Sequence, residues 1–116
     1  MAGVLSVSAT KFRLFFTTPA HSLETCKAAV FAAGAGRYAD GNYTGCCWSV
    51  VGKGQFRAGD AANPQIGEVG KLEHTEEVRV EVMCFGEETA RKAVAALKSA
   101  HPYEEPSYGV YALLDF

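Results

Sequence analysis

A chain of 116 residues, 48% hydrophobic and 21% charged, has the size and composition of one compact domain, far from the polar usage of disordered chains. With 11 Lys and Arg against 13 Asp and Glu, the formal charge is −2. It offers no overall positive field to a phosphate backbone or an anionic membrane, so neither nucleic acid nor membrane is an expected partner.

Residues 1–10 have no basic start, compact apolar block or cleavage pattern, so they read as a flexible N-terminus rather than a secretory signal, and a cytoplasmic location is expected. The charge-free stretches Ala28–Gly36 and Gly41–Gly52 are shorter than the roughly 20 apolar residues of a membrane span and are broken by glycine. From Lys11, the residues Phe12, Leu14 and Phe16 alternate with Lys11, Arg13 and Phe15, the two-residue period of a half-buried strand. Thr17, Thr18 and Pro19 break it. Ser22 then reads as the cap of a first helix, with Leu23, Cys26 and Val30 at helical spacing. That helix runs to about Gly34, where Gly34-Ala35-Gly36 supplies the left-handed angles of a helix exit, followed by a polar turn at Asp40-Gly41-Asn42.

A second strand is expected at Cys46–Val51. Five glycines between Gly52 and Gly70 then predict an irregular, bulged hairpin. Val78, Val80, Val82 and Cys84 alternate with Arg79, Glu81 and Met83 as a third strand. Ala90, Val94 and Leu97 form the apolar stripe of a second helix, with Glu87/Arg91 and Glu88/Lys92 paired along it; Pro102 ends it at His101. Ser107–Leu114 is the last strand, with Tyr108, Val110, Ala112 and Leu114 on one face. This order predicts an α+β ferredoxin-like β-α-β-β-α-β sandwich: an antiparallel sheet with both helices on one face and an extended hairpin. Large apolar groups then remain for the other face, through Phe15 or the Phe12/Leu14/Phe16 row and through Tyr111 and Leu113, which favours self-association.

Three landmarks occur in order: Ala33-Gly34-Ala35-Gly36-Arg37 before Asn42-Tyr43 and Cys46-Cys47-Trp48; Gly52-Lys53-Gly54-Gln55-Phe56-Arg57 with Ile66-Gly67-Glu68-Val69-Gly70; and His101-Pro102-Tyr103-Glu104-Glu105-Pro106. Together they resemble the stand-alone YqfO family, small proteins similar to the insert domain of the Nif-three-like YbgI/YqfO dimetal proteins. The resemblance runs from Lys11 to Phe116, and it implies a single CutA/PII-like domain over residues 11–116 and a homotrimer. The larger relatives hold two metals with a His-His pair, an Asp and a distant His and Glu in a core domain outside the matched segment. His21, His74 and His101 stand apart here, so the resemblance carries no hydrolase activity over. Ser22 also intervenes between His21 and the Leu23-Glu24 pair, where the family pattern has His beside that pair.

Two readings attach to His101. At the end of the second helix it serves the terminal carbonyls; alternatively, with Glu104 and Glu105 at a subunit boundary, it ligates a divalent metal ion. The Gly52–Arg57 segment corresponds to the loop that meets nucleotides in PII-like folds, and Lys53, Gln55, Arg57 and Tyr103 are its candidate ligand-binding residues. The competing reading is that its glycines serve a bent ribbon alone, since no full phosphate-loop signature follows. Cys26, Cys46, Cys47 and Cys84 read as small buried hydrophobes, and Trp48 and the tyrosines as core or interface anchors. No catalytic residue is assigned. The expected function is a non-catalytic oligomeric module that binds a small ligand or divalent metal between subunits. Its alternatives are a metal-dependent hydrolase related to the larger dimetal proteins, and a pure protein-interaction domain.

Overall fold

The computed structural model describes residues 10–116, so the expected flexible N-terminus over residues 1–10 lies, but for Thr10, outside the described residues. The elements run β1 (Lys11–Pro19), a short 3-10 turn (Ala20–Ser22), α1 (Leu23–Ala32), β2 (Trp48–Arg57), β3 (Leu72–Phe85), α2 (Glu87–Ala100) and β4 (Tyr108–Leu113). All strand pairs are antiparallel, in the order β2-β3-β1-β4, which is the ferredoxin-like α+β arrangement expected from the pattern.

Alternation along β1 and β3 decides the two faces. Leu14 lies opposite Val82 and Phe16 opposite Val80, and all four are almost completely buried. Cys26 and Val30 of α1 and Ala90, Ala93 and Leu97 of α2 close over them, so the core sits between this sheet face and the helix pair. The Phe12/Leu14/Phe16 row is therefore the inward one, and Phe15 faces outward. The α2 helix is held on its wet side by Arg91 to Glu87 at 2.8 Å and Lys92 to Glu88 at 3.2 Å. Its two N-terminal glutamates also complement the positive end of the helix dipole. Pro102 leaves His101 extended, with φ −73° and ψ 138°, and ends the helix there.

Three local expectations are corrected. Ser22 occupies the cap position of α1, but its side chain makes no cap hydrogen bond, and the residue is buried as the last of the 3-10 turn. The second strand starts at Trp48 rather than Cys46, because Gly36 intervenes: its N–H donates to the Met83 carbonyl at 2.8 Å and its own carbonyl takes the Cys46 N–H at 2.9 Å. Gly36 stands at φ +73°, and a Cβ there would lie 2.6 Å from the Cys46 carbonyl oxygen, so only glycine fits. Finally, Gly52–Arg57 is not irregular. It continues β2 in unbroken register from Trp48 opposite Glu81 to Arg57 opposite Leu72, with no bulge, and only residues 58–71 form the loop.

This β2–β3 ribbon projects past the helices, and Val51, on the helix-side face, stays 62% exposed. The radius of gyration of 16.4 Å exceeds the roughly 13 Å of a compact chain of this length for that reason.

Candidate functional site

The glycine-rich part of β2 forms one wall of a cleft of about 640 Å³ on the sheet face that the helices leave open. Strand parity puts Val50, Gly52, Gly54 and Phe56 of β2 on that face with Thr75, Glu77 and Arg79 of β3. The 58–71 loop closes one side with Ala58, Ala62, Pro64 and Ile66, and the 103–107 segment closes another. A side chain at Gly54 would come within 3.0 Å of Thr75 Oγ1 and 3.4 Å of Glu77 Cδ, so the bare backbone there leaves room for both.

At the polar end, Tyr103 Oη donates to Glu77 Oε2 at 2.8 Å and Thr75 Oγ1 donates to the same oxygen at 3.0 Å. Burial, together with the adjoining Glu77 carboxylate, pushes the Tyr103 hydroxyl up to about 12, so it is a hydrogen-bond donor throughout the physiological range. Arg79 also lines the cleft, but its guanidinium pairs with Glu81 at 3.3 Å and lies 4.3 Å from the centre of the Phe15 ring. Phe15 in turn stacks on Tyr111 at 5.1 Å and overlies Gly109, where a Cβ would meet its ring at 2.5 Å.

His101 holds the 101–107 loop in place. Its Nε2 lies 2.7 Å from the Thr17 carbonyl oxygen of β1, and its Nδ1 accepts the Tyr103 N–H at 3.0 Å. These partners fix the Nε2–H tautomer and engage both ring nitrogens. The terminal carbonyl of Leu97 is met by the His101 backbone N–H instead of its side chain. Glu104 accepts the Asn63 N–H at 2.9 Å and so ties the 58–71 loop to the 101–107 segment, while Glu105 sits on the cleft's exposed rim. Among the described residues, no three His, Cys, Asp or Glu side chains gather as a metal-binding group.

Lys53, Gln55, Arg57 and Tyr103 all line the cleft. The pleat distinguishes them. Lys53, Gln55 and Arg57 alternate with Gly54 and Phe56, so their side chains belong to the ribbon's other face, where Lys53 shares a shallow depression with His74 and Glu76. Thr75 and Glu77 were not singled out from sequence, because their link to Tyr103 spans 26 or more positions that no local spacing reveals. Of the cysteines, Cys26 and Cys84 are buried as expected, whereas Cys46 is half-buried and Cys47 exposed, since both precede β2. Trp48 is 57% exposed, so it is no core residue.

No family model matches the chain. It is 48% identical over 96 residues to a GTP cyclohydrolase 1 type 2 homologue of Mycobacterium tuberculosis, a match covering 83% of this chain and 24% of that protein. A Bacillus cereus protein related to NIF3 has the same fold over 95% of this chain and 27% of its own, at a TM-score of 0.73 and 34% identity. This chain is homologous to one segment of the NIF3-related proteins. A Bacillus subtilis relative of the same kind is 39% identical over 99 residues, 85% of this chain and 26% of its own. The NIF3-related segment thus spans about a quarter of the length of the curated relatives it matches. CutA of Archaeoglobus fulgidus, described as a periplasmic divalent cation tolerance protein, matches over 91% of this chain and 86% of its own at a TM-score of 0.63 and 16% identity. A GlnK–ATP complex of B. subtilis matches over 92% and 86% at 0.59 and 11%. These two show the shared CutA/PII-like fold alone. No helix among the described residues is long and apolar enough to cross a membrane.

Proposed function

We propose that the chain is a self-assembling, non-catalytic module that forms a homotrimer and binds a small ligand in the cleft beside the β2–β3 ribbon, where a neighbouring subunit completes the site. The observation that carries this reading is the apolar surface left on the sheet and its edge. Trp48 and Tyr111 are each more than half exposed, Val50 nearly so, and a projecting edge strand of this kind invites a partner chain. The cleft falls within the size range of small-molecule sites, with apolar walls and a few convergent polar groups. The CutA-like fold adds the expectation of three subunits.

Within this reading Tyr103 bounds the ligand together with the β2 wall, to which Lys53, Gln55 and Arg57 contribute backbone rather than side chain, and Glu104 and Glu105 form the rim open to a divalent cation. His101 supports the loop that carries them, because a metal on its ring would displace one of two backbone hydrogen bonds. The test is stability under ligand challenge: a molecule that binds the folded state raises its melting temperature. A rise with a small molecule or a divalent ion supports the module reading. A flat response across metals, nucleotides and amines, from a chain that is monomeric, overturns it and leaves the protein-interaction domain.

A further inference from the structure

Basic and acidic residues both line the cleft, but with Arg79 paired to Glu81 and the Lys53 and Arg57 side chains turned away by the pleat, the charge left unpaired on the cleft face is negative, and from it we infer that the ligand is an organic cation: a protonated amine carried on an apolar body. This rests on the small-ligand reading of the same cleft and names its chemical class. The floor residue Glu77 accepts two hydrogen bonds, from Tyr103 and Thr75, and both end on Oε2. Its other oxygen, Oε1, takes no hydrogen bond among the described residues, and none of the ion pairs formed there uses this carboxylate. Two donors on one oxygen hold the group as an acceptor, and the free oxygen is left for a donor from outside the chain.

The basic residues near the cleft do not supply that donor. Arg79 is committed to Glu81 and to the Phe15 ring, and Lys53 and Arg57 belong to the ribbon's other face by the pleat. The remaining charged side chains on the cleft wall are Glu104 and Glu105 at its mouth. Val50, Phe56, Ala58, Pro64 and Ile66 line the same cleft and offer apolar surface beside the carboxylate. A cationic head on Glu77 and an apolar body against that surface satisfy both halves of the site, whereas an anion such as a nucleotide phosphate would face three carboxylates.

The experiment is an amide-resolved NMR titration of the full chain at neutral pH with phenethylammonium, phenylacetate of the same ring, and ATP. The inference expects saturable shifts from phenethylammonium centred on Gly54, Thr75, Glu77 and Tyr103, with no response there to phenylacetate. E77Q keeps an acceptor for Tyr103 but loses the charge, and weakens the amine about tenfold or more, as for loss of a charged hydrogen-bond partner. E76Q, on the other face, leaves binding unchanged. Should E77Q fold poorly, Glu105→Gln at the rim gives a smaller loss of roughly twofold. Saturable binding of phenylacetate or ATP in the cleft without the amine overturns the inference and leaves the small-ligand reading standing. No response to any of the three overturns the inference, and the small-ligand reading falls with it only where divalent metals also leave the melting temperature unchanged and the chain is monomeric; amine shifts that persist in E77Q overturn the assignment to Glu77.

Discussion

Replacing His101 with alanine separates a loop anchor from a metal ligand. The side chain is only 7% exposed and joins β1 to the 101–107 loop through two hydrogen bonds, to the Thr17 carbonyl and from the Tyr103 N–H. Each contributes about 1 kcal/mol net, and stranding the part-buried Thr17 carbonyl and the Tyr103 N–H adds about 1–2 kcal/mol more. The expected loss is about 3–4 kcal/mol, which for a domain of this size corresponds to a fall in melting temperature of roughly 10–25 °C. The assay is thermal unfolding at one fixed protein concentration, because self-association makes the transition concentration-dependent, with and without a chelator. The anchor account predicts the same large fall in both conditions. A fall under about 2 °C would refute it. So would a wild-type transition that drops on chelation while the alanine variant does not respond, since that pattern belongs to a ligand lost with its metal.

Two further substitutions and one pH series test other parts of the account. Gly36→Ala forces a left-handed alanine against the Cys46 carbonyl and should destabilise by about 2 kcal/mol or more in urea unfolding. Gly41→Ala, with similar backbone angles but open space around it, costs about 1 kcal/mol, and equal effects would contradict the contact argument. The Cys84 thiol, buried in the core, is pushed by that burial from an ordinary 9.0 to about 11. The folded state therefore holds this proton more tightly than the unfolded state, and the stabilisation is complete below pH 9 and lost as pH rises from 9 to 11. Cys84→Ala should flatten the decline in unfolding free energy across that window relative to the wild type; parallel declines would sink the assignment.

Much of the fold was legible because β1, β3 and α2 each bury one side. The Phe12/Leu14/Phe16 and Val78/Val80/Val82/Cys84 alternations gave the two central strands, and the Gly34 and Gly36 exit stands at the left-handed angles its composition implied. The limits were set where pairing overrides local preference. Gly52 and Gly54 disfavour a strand by themselves, but the ladder with β3 carries β2 through them, and their missing side chains open the cleft. Cys46-Cys47-Trp48 reads as one apolar run, yet the hydrogen bonds of Gly36 to Met83 and Cys46 put the two cysteines ahead of the strand. The candidate site was legible by segment more than by side chain. The ribbon and the His101 loop do meet at one cleft, while Thr75 and Glu77, which join them to Tyr103, lie in a stretch whose only local signal is an alternating strand.

Native mass spectrometry of the chain purified without chelator tests the central proposal most directly, since subunit number and any retained mass are read in one spectrum. The account predicts a species at three times the chain mass, with small-molecule mass retained at up to one per cleft when an amine is present. A monomer at every concentration, with no mass added by any ligand, would contradict it.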